Sequence, residues 1–209
     1  MSRKILSYCR ITNKHVLVDG KLILSNNENN INHWISDIYN YIKLSYPKYH
    51  KMDHLCKAGI LAAEMVMEKL GLNNDELKTD WAICCMNRSG SLDNDTSYQK
   101  TIQKNDDFYP APSLFVYTLS NIVLGEIAIK YKLRCESSCY VCEKFSSEDI
   151  YDSVNDVYNY KPVNYILSGW LEYGIGGCDI LLFAVGDSDD ENLPDFTPDN
   201  LDNIYKENI

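Results

Sequence analysis

The sequence predicts an α/β domain, a mainly parallel or mixed sheet covered by helices. Three observations carry this expectation. The run Trp81–Met86 is apolar without alternation, the character of a strand buried on both faces. Segments with helical period alternate with strand-like runs at the spacing of strand–helix units. The chain has 209 residues, 45% hydrophobic and 24% charged, an ordinary globular balance long enough for one substantial core.

Residues 4–25 read as two short strands around a Val-Asp-Gly turn at 18–20, followed by a polar loop from Asn26 to Asn30. From Asn32, the residues Trp34, Ile35, Ile38, Tyr39 and Ile42 fall at helical spacing, and Pro47 follows the helix end. Asp53 then caps a helix running to Leu70, with Gly71 where a C-terminal cap glycine belongs. Its stretch Ala58-Gly59-Ile60-Leu61-Ala62-Ala63 is apolar almost all round, so the helix is buried, and its small residues admit a close neighbour. The strand Trp81–Met86 runs into the polar turn Asn87-Arg88-Ser89-Gly90-Ser91.

A weak helix follows near Thr96–Lys104, then the proline-broken Phe108–Ser113, then a helix over residues 114–130. Residues 135–141 predict a strand, Ser147–Tyr158 a capped helix, and Asn164–Leu171 another strand. Asp179–Val185 is the last strand, after the turn Gly174-Ile175-Gly176-Gly177. The expected organisation is a single domain over 1–186 with an acidic tail over 187–209, flexible or laid on a partner.

Composition narrows the function classes. The formal charge of −10 offers no basic face for nucleic acid. It also makes the chain a poor direct dock for an acidic carrier protein. No apolar run reaches the roughly 18 residues that a membrane helix requires, and Met1-Ser2-Arg3-Lys4 leads into no signal-like stretch. The expectation is a soluble, cytoplasmic protein. Its eight cysteines (Cys9, Cys56, Cys84, Cys85, Cys135, Cys139, Cys142 and Cys178) are scattered through apolar segments, as buried free thiols would be.

Four constellations carry possible chemistry. Cys135, Cys139 and Cys142 form a C-x3-C-x2-C cluster that could ligate zinc, but no fourth ligand lies nearby and packed thiols are the favoured reading. Cys142 precedes a predicted helix, whose N-terminus could lower its pKa, but no histidine follows His54 in the sequence to serve as base. The turn Arg88-Ser89-Gly90-Ser91 could cradle an anion without matching a phosphate loop. The run Asp187–Glu191 lacks the spacing of a calcium loop. No metal and no cofactor are expected.

From Met52 to Asp187 the order of features resembles the N-terminal half of β-ketoacyl synthases. The similarity is greatest to the short ketosynthase-like chain length factors of aryl-polyene and flexirubin pigment synthesis. It rests on the helix Ala58-Gly59-Ile60-Leu61-Ala62-Ala63-Glu64 with Gly71-Leu72, and on Trp81–Met86 leading into its Ser-Gly turn. It continues through Phe108-Tyr109-Pro110-Ala111-Pro112-Ser113-Leu114-Phe115-Val116, Ser120-Asn121, Gly125-Glu126-Ile127-Ala128 and Lys132-Leu133-Arg134. The resemblance implies a thiolase-like half with a five-stranded sheet. It places the turn that carries the nucleophilic cysteine of active members at Glu143-Lys144, so that position is degenerate, with Cys142 two places away.

The resemblance implies no catalytic residue here, since nucleophile and catalytic histidines are both wanting. It implies a pseudoenzyme, not an enzyme by itself, that pairs with a full-length ketosynthase in aryl-polyene or fatty-acid-like polyketide synthesis. An acyl carrier protein would be met only through that partner. Phe115, Tyr117, Leu119, Asn121, Glu143 and Lys144 become candidates for lining the acyl tunnel or the interface. The alternatives are a thiol-dependent acyltransferase or condensing enzyme using Cys142, and a stand-alone acyl-binding protein.

Overall fold

The computed structural model describes residues 2–27, 31–72, 75–103, 108–174 and 176–207, with the backbone alone for Asn32. A seven-stranded mixed sheet forms the centre, in spatial order β3-β2-β1-β7-β6-β4-β5. Its strands are β1 (Ser2–Ile11), β2 (His15–Val18), β3 (Lys21–Ser25), β4 (Trp81–Asn87), β5 (Ser137–Val141), β6 (Tyr165–Gly174) and β7 (Gly177–Ser188). Only β4 with β5 and β4 with β6 are parallel; the other neighbours run antiparallel.

The α/β class and the mixed sheet agree with the sequence, but among the described residues the sheet has seven strands rather than five. The N-terminal region holds three strands because Thr12 makes a turn without glycine or proline. Its hydroxyl accepts from the amides of Lys14 and His15, both at 3.2 Å. The Asp19-Gly20 turn lies where it was expected, with φ of 49° and 72°, the positive pair of a tight hairpin. β6 and β7 are joined by two residues, too few for a crossover, so they must pair antiparallel.

Helices cover both faces. On one lie α1 (Ile31–Ile42) and α2 (His54–Lys69), with the 3-10 turn Pro47–Lys51 between them, and α5 (Ile122–Tyr131). The other carries α6 (Ser147–Tyr160) and α7 (Pro198–Lys206). β4 shows why its sequence does not alternate: Ile83 and Cys85 face the first layer, while Ala82, Cys84 and Met86 face the second.

The Asp53 carboxylate caps α2 by accepting from the Cys56 amide at 2.9 Å, and Gly71 follows its end at φ 66°. The small residues do admit a neighbour. A Cβ at Gly59 would stand 2.5 Å from Val123 Cγ2 of α5. The helix expected near Thr96 starts earlier, as α3 (Leu92–Ile102). That expected over 114–130 is broken into α4 (Pro112–Phe115) and α5. Between them Tyr117 turns inward, and its hydroxyl donates to Glu126 at 3.4 Å.

Residues 187–207 form no free tail. Pro194 and Phe196 bond to the backbone of β1, and Lys4 pairs with Asp195 at 2.7 Å. Phe196, Leu201 and Ile204 are buried in the second layer. The acidic composition hid these three apolar anchors: Phe196 precedes α7, and helical spacing brings Leu201 and Ile204 to one side of it. Among the described residues, no helix is long and apolar enough to cross a membrane.

Candidate functional site

The parallel strands β4 and β5 end together, with Val141 opposite Asn87, while β6, whose Trp170 lies opposite Met86, runs on to Gly174. Crevices outside the carboxyl ends of such strands are where open α/β sheets hold ligands. Here the β4–α3 turn, the β5–α6 turn and the β6–β7 hairpin enclose a cavity of about 220 Å³, lined by Arg88, Lys144, Trp170, Glu172, Asp179 and Tyr205 among others. Lys144 therefore lines a real concavity. Glu143, its neighbour, is simply exposed.

Each acid of this cavity has its own partners. Glu172, 7% exposed, accepts from the Arg88 and Ser89 amides at 2.9 and 3.0 Å, and from the Ser89 hydroxyl. The Arg88–Ser91 turn thus cradles an anion, but the anion is the protein's own carboxylate. Asp179 receives the Trp170 indole N–H at 3.1 Å, the Tyr205 hydroxyl at 2.6 Å and the buried Arg10 guanidinium at 2.6 Å. Burial and the Asp179 carboxylate raise the Tyr205 pKa, so its hydroxyl stays a donor. Glu172, Asp179, Trp170, Tyr205 and Arg10 were not singled out from sequence. Four lie in apolar strand runs and Tyr205 in the supposed tail, and a buried acid inside a strand was the one available signal.

The cysteines do not converge. The thiols of Cys135 and Cys139 approach the carbonyls of Thr79 and Ser120, and Cys142 Sγ lies 3.7 Å from Met86 Sδ. Among the described residues, no group of three or more His, Cys, Asp or Glu side chains could hold a metal ion. The Asp187–Glu191 run closes on itself instead, Asp190 accepting from the amide and side chain of Asn192.

Burial and the Asp149 carboxylate raise the Cys142 thiol above its usual range, the opposite of an activated nucleophile. Alkylation of Cys142 by iodoacetamide is therefore expected to be slow near pH 7 and still accelerating above about pH 9. A rate that levels off below about pH 7 would restore the acyltransferase reading. Of the histidines, His54 is engaged by Asp93 at 2.9 Å and faces the Tyr173 ring at 5.1 Å.

The remaining candidates lie on one flank. Phe115, Leu119 and Asn121 are exposed, whereas Tyr117 is buried. The Cys139 contact to Ser120 lays this segment beside β5, one of the two edge strands of the sheet, on which Tyr140 and Val141 are also exposed.

No family model matches the sequence, and no curated protein matches it. Solved structures do. The ishigamide ketosynthase/chain length factor superposes with a TM-score of 0.65 at 12% identity, over 93% of this chain and 64% of that one. The Xenorhabdus doucetiae ketosynthase ApeO in complex with its chain length factor ApeC gives a TM-score of 0.58 at 12% identity, over 90% and 80%. A β-ketoacyl synthase from Burkholderia phymatum STM815 gives 0.56 at 10% identity, over 90% and 59%. The chain thus spans somewhat under two thirds of the length of the first of these. Its fold is the thiolase-like fold of ketosynthases and chain length factors.

Proposed function

We propose that this chain is a non-catalytic subunit of chain length factor type. It pairs with a full-length β-ketoacyl-ACP synthase in the cytoplasm and shapes that partner's acyl tunnel in polyketide or aryl-polyene synthesis. The observation that carries the reading is the flank around β5. Phe115, Val116, Leu119 and Val141 are 55–61% exposed beside an edge strand whose outer side pairs with no other strand among the described residues. Such an edge invites another chain, and apolar side chains beside it favour a permanent one. Proteins bearing the same fold occur in complexes of ketosynthase with chain length factor.

The formal charge of −10 fits a subunit that leaves carrier-protein docking to its partner. The raised Cys142 pKa speaks against thiol chemistry of its own.

Co-expression with the ketosynthase of the same gene neighbourhood tests this. The two chains are expected to co-purify, and Val141→Glu combined with Leu119→Glu to weaken association at least about a hundredfold, since two charges would be buried unpaired. Bulky substitutions at Phe115 or Leu119 are expected to shift product chain length. A chain that stays a stable monomer beside that ketosynthase would end the reading.

A further inference from the structure

The cavity at the strand ends has a charge arrangement that the subunit reading does not use. Asp179 is offset by the Arg10 guanidinium, and Glu172 is held by three neutral donors, so Arg88 and Lys144 together face one uncompensated carboxylate and leave the cavity a cation in excess. The cations facing the cavity are less engaged. Arg88 comes no closer than 4.0 Å to Glu172, and its side chain is 59% exposed. Lys144 makes no hydrogen bond or ion pair among the described residues. Both line the same hollow.

Aromatic rings form another part of the lining: Phe145 stacks on Tyr205 with ring centroids 3.7 Å apart and meets Trp170 edge-on at 6.4 Å. Asp179 fixes both Trp170 and Tyr205, so this wall is already in place before any ligand arrives. Two under-used cations and a rigid apolar wall lining one cavity suit an anion that carries a short carbon chain. A guanidinium can take a carboxylate through two parallel N–H donors, and the ammonium adds a point charge. A free phosphate would gain nothing from the aromatic side, and the nearby backbone amides that favour phosphate are spent on Glu172.

We propose that this cavity binds a short-chain carboxylate, its head held by Arg88 and Lys144 and its chain laid against Phe145, Trp170 and Tyr205. The site is independent of any partner chain, so its test is made on the full chain alone and stands apart from the co-purification experiment. With both cations near solvent, affinity is expected on the order of millimolar.

The measurement is a titration of isotope-labelled protein with propionate, followed at the Trp170 indole N–H and the amides of Arg88, Gly176 and Gly177. Propionamide and inorganic phosphate serve as comparison ligands at matched ionic strength. Saturable shifts with propionate, none with propionamide, and at least a tenfold weakening in Arg88→Gln/Lys144→Met are expected. Both substituted side chains are solvent-facing, so the variant folds, and its unperturbed spectrum confirms that. Absence of saturable shifts, equal affinity in the double variant, or binding of phosphate but not propionate would each overturn the proposal.

Discussion

Replacing Gly169 by alanine is expected to leave no folded protein. Gly169 sits in the middle of β6, paired with Leu182 of β7 on one side and Cys85 of β4 on the other. Its φ is 153°, and a Cβ there would stand 1.9 Å from the Leu181 carbonyl oxygen and 3.0 Å from Leu182 Cα. Those atoms belong to a neighbouring backbone, which cannot rotate aside as a side chain can. Two ladders and two helical layers hold β6 in place, so relief requires unzipping the centre of the sheet.

The cost exceeds about 4 kcal/mol, against a total stability of about 5–15 kcal/mol for a domain. Soluble yield and denaturant unfolding measure it. Gly59→Ala is the graded comparison, because the one close contact of its Cβ is a Val123 methyl rather than backbone, and the cost falls to about 1–3 kcal/mol. Gly125→Ala in α5, with nothing within 4 Å, is expected to be neutral or mildly stabilising. A Gly169→Ala protein that melts within a few degrees of the parent would refute the register assigned to β6 and β7.

Truncation after Glu191 is expected to produce the second-largest effect. It removes Phe196, Leu201 and Ile204, each at most 5% exposed, and uncovers Tyr151 and Phe183 beneath Phe196. It also takes Tyr205 from Asp179 and from the Arg10 guanidinium, which lies 4.5 Å over its ring. Burial of each apolar side chain contributes about 1.5–3 kcal/mol, partly offset by the chain entropy regained. The expected outcome is insolubility or a melting temperature lower by about 10 °C or more. Phe196→Ala, expected to cost about 3–5 kcal/mol, separates burial from chain length. Unchanged stability in the truncated protein would mean that this segment serves a partner rather than its own sheet.

How much was legible from the residues differs by element. α2 was readable end to end because its cap, its small-residue face and its terminal glycine are local signals that agree. β4 was readable because burial on both faces leaves an uninterrupted apolar run. The break between α4 and α5 was not, because it depends on Tyr117 reaching Glu126 across nine residues. The third N-terminal strand was missed because Thr12 turns the chain by a side-chain bond, with no glycine or proline to announce it.

The likeness of fold to ketosynthases was visible in the order of motifs, and it drew attention to Glu143-Lys144 as the expected nucleophile turn. What surrounds Lys144 was not visible. Arg10, Arg88, Trp170, Glu172, Asp179 and Tyr205 lie up to 195 residues apart in sequence and meet only because four strands and α7 converge.

The sequence by itself determined the class of fold, the buried helix, the central strand and the lack of a histidine beyond His54. These are properties of local pattern and composition, which need no partner residue to be read. The tertiary structure alone decided the antiparallel half of the sheet, the packing of the acidic C-terminal segment and the charge balance of the cavity. Each is a pairing between distant residues, and pattern along a chain does not record which distant group a side chain will meet.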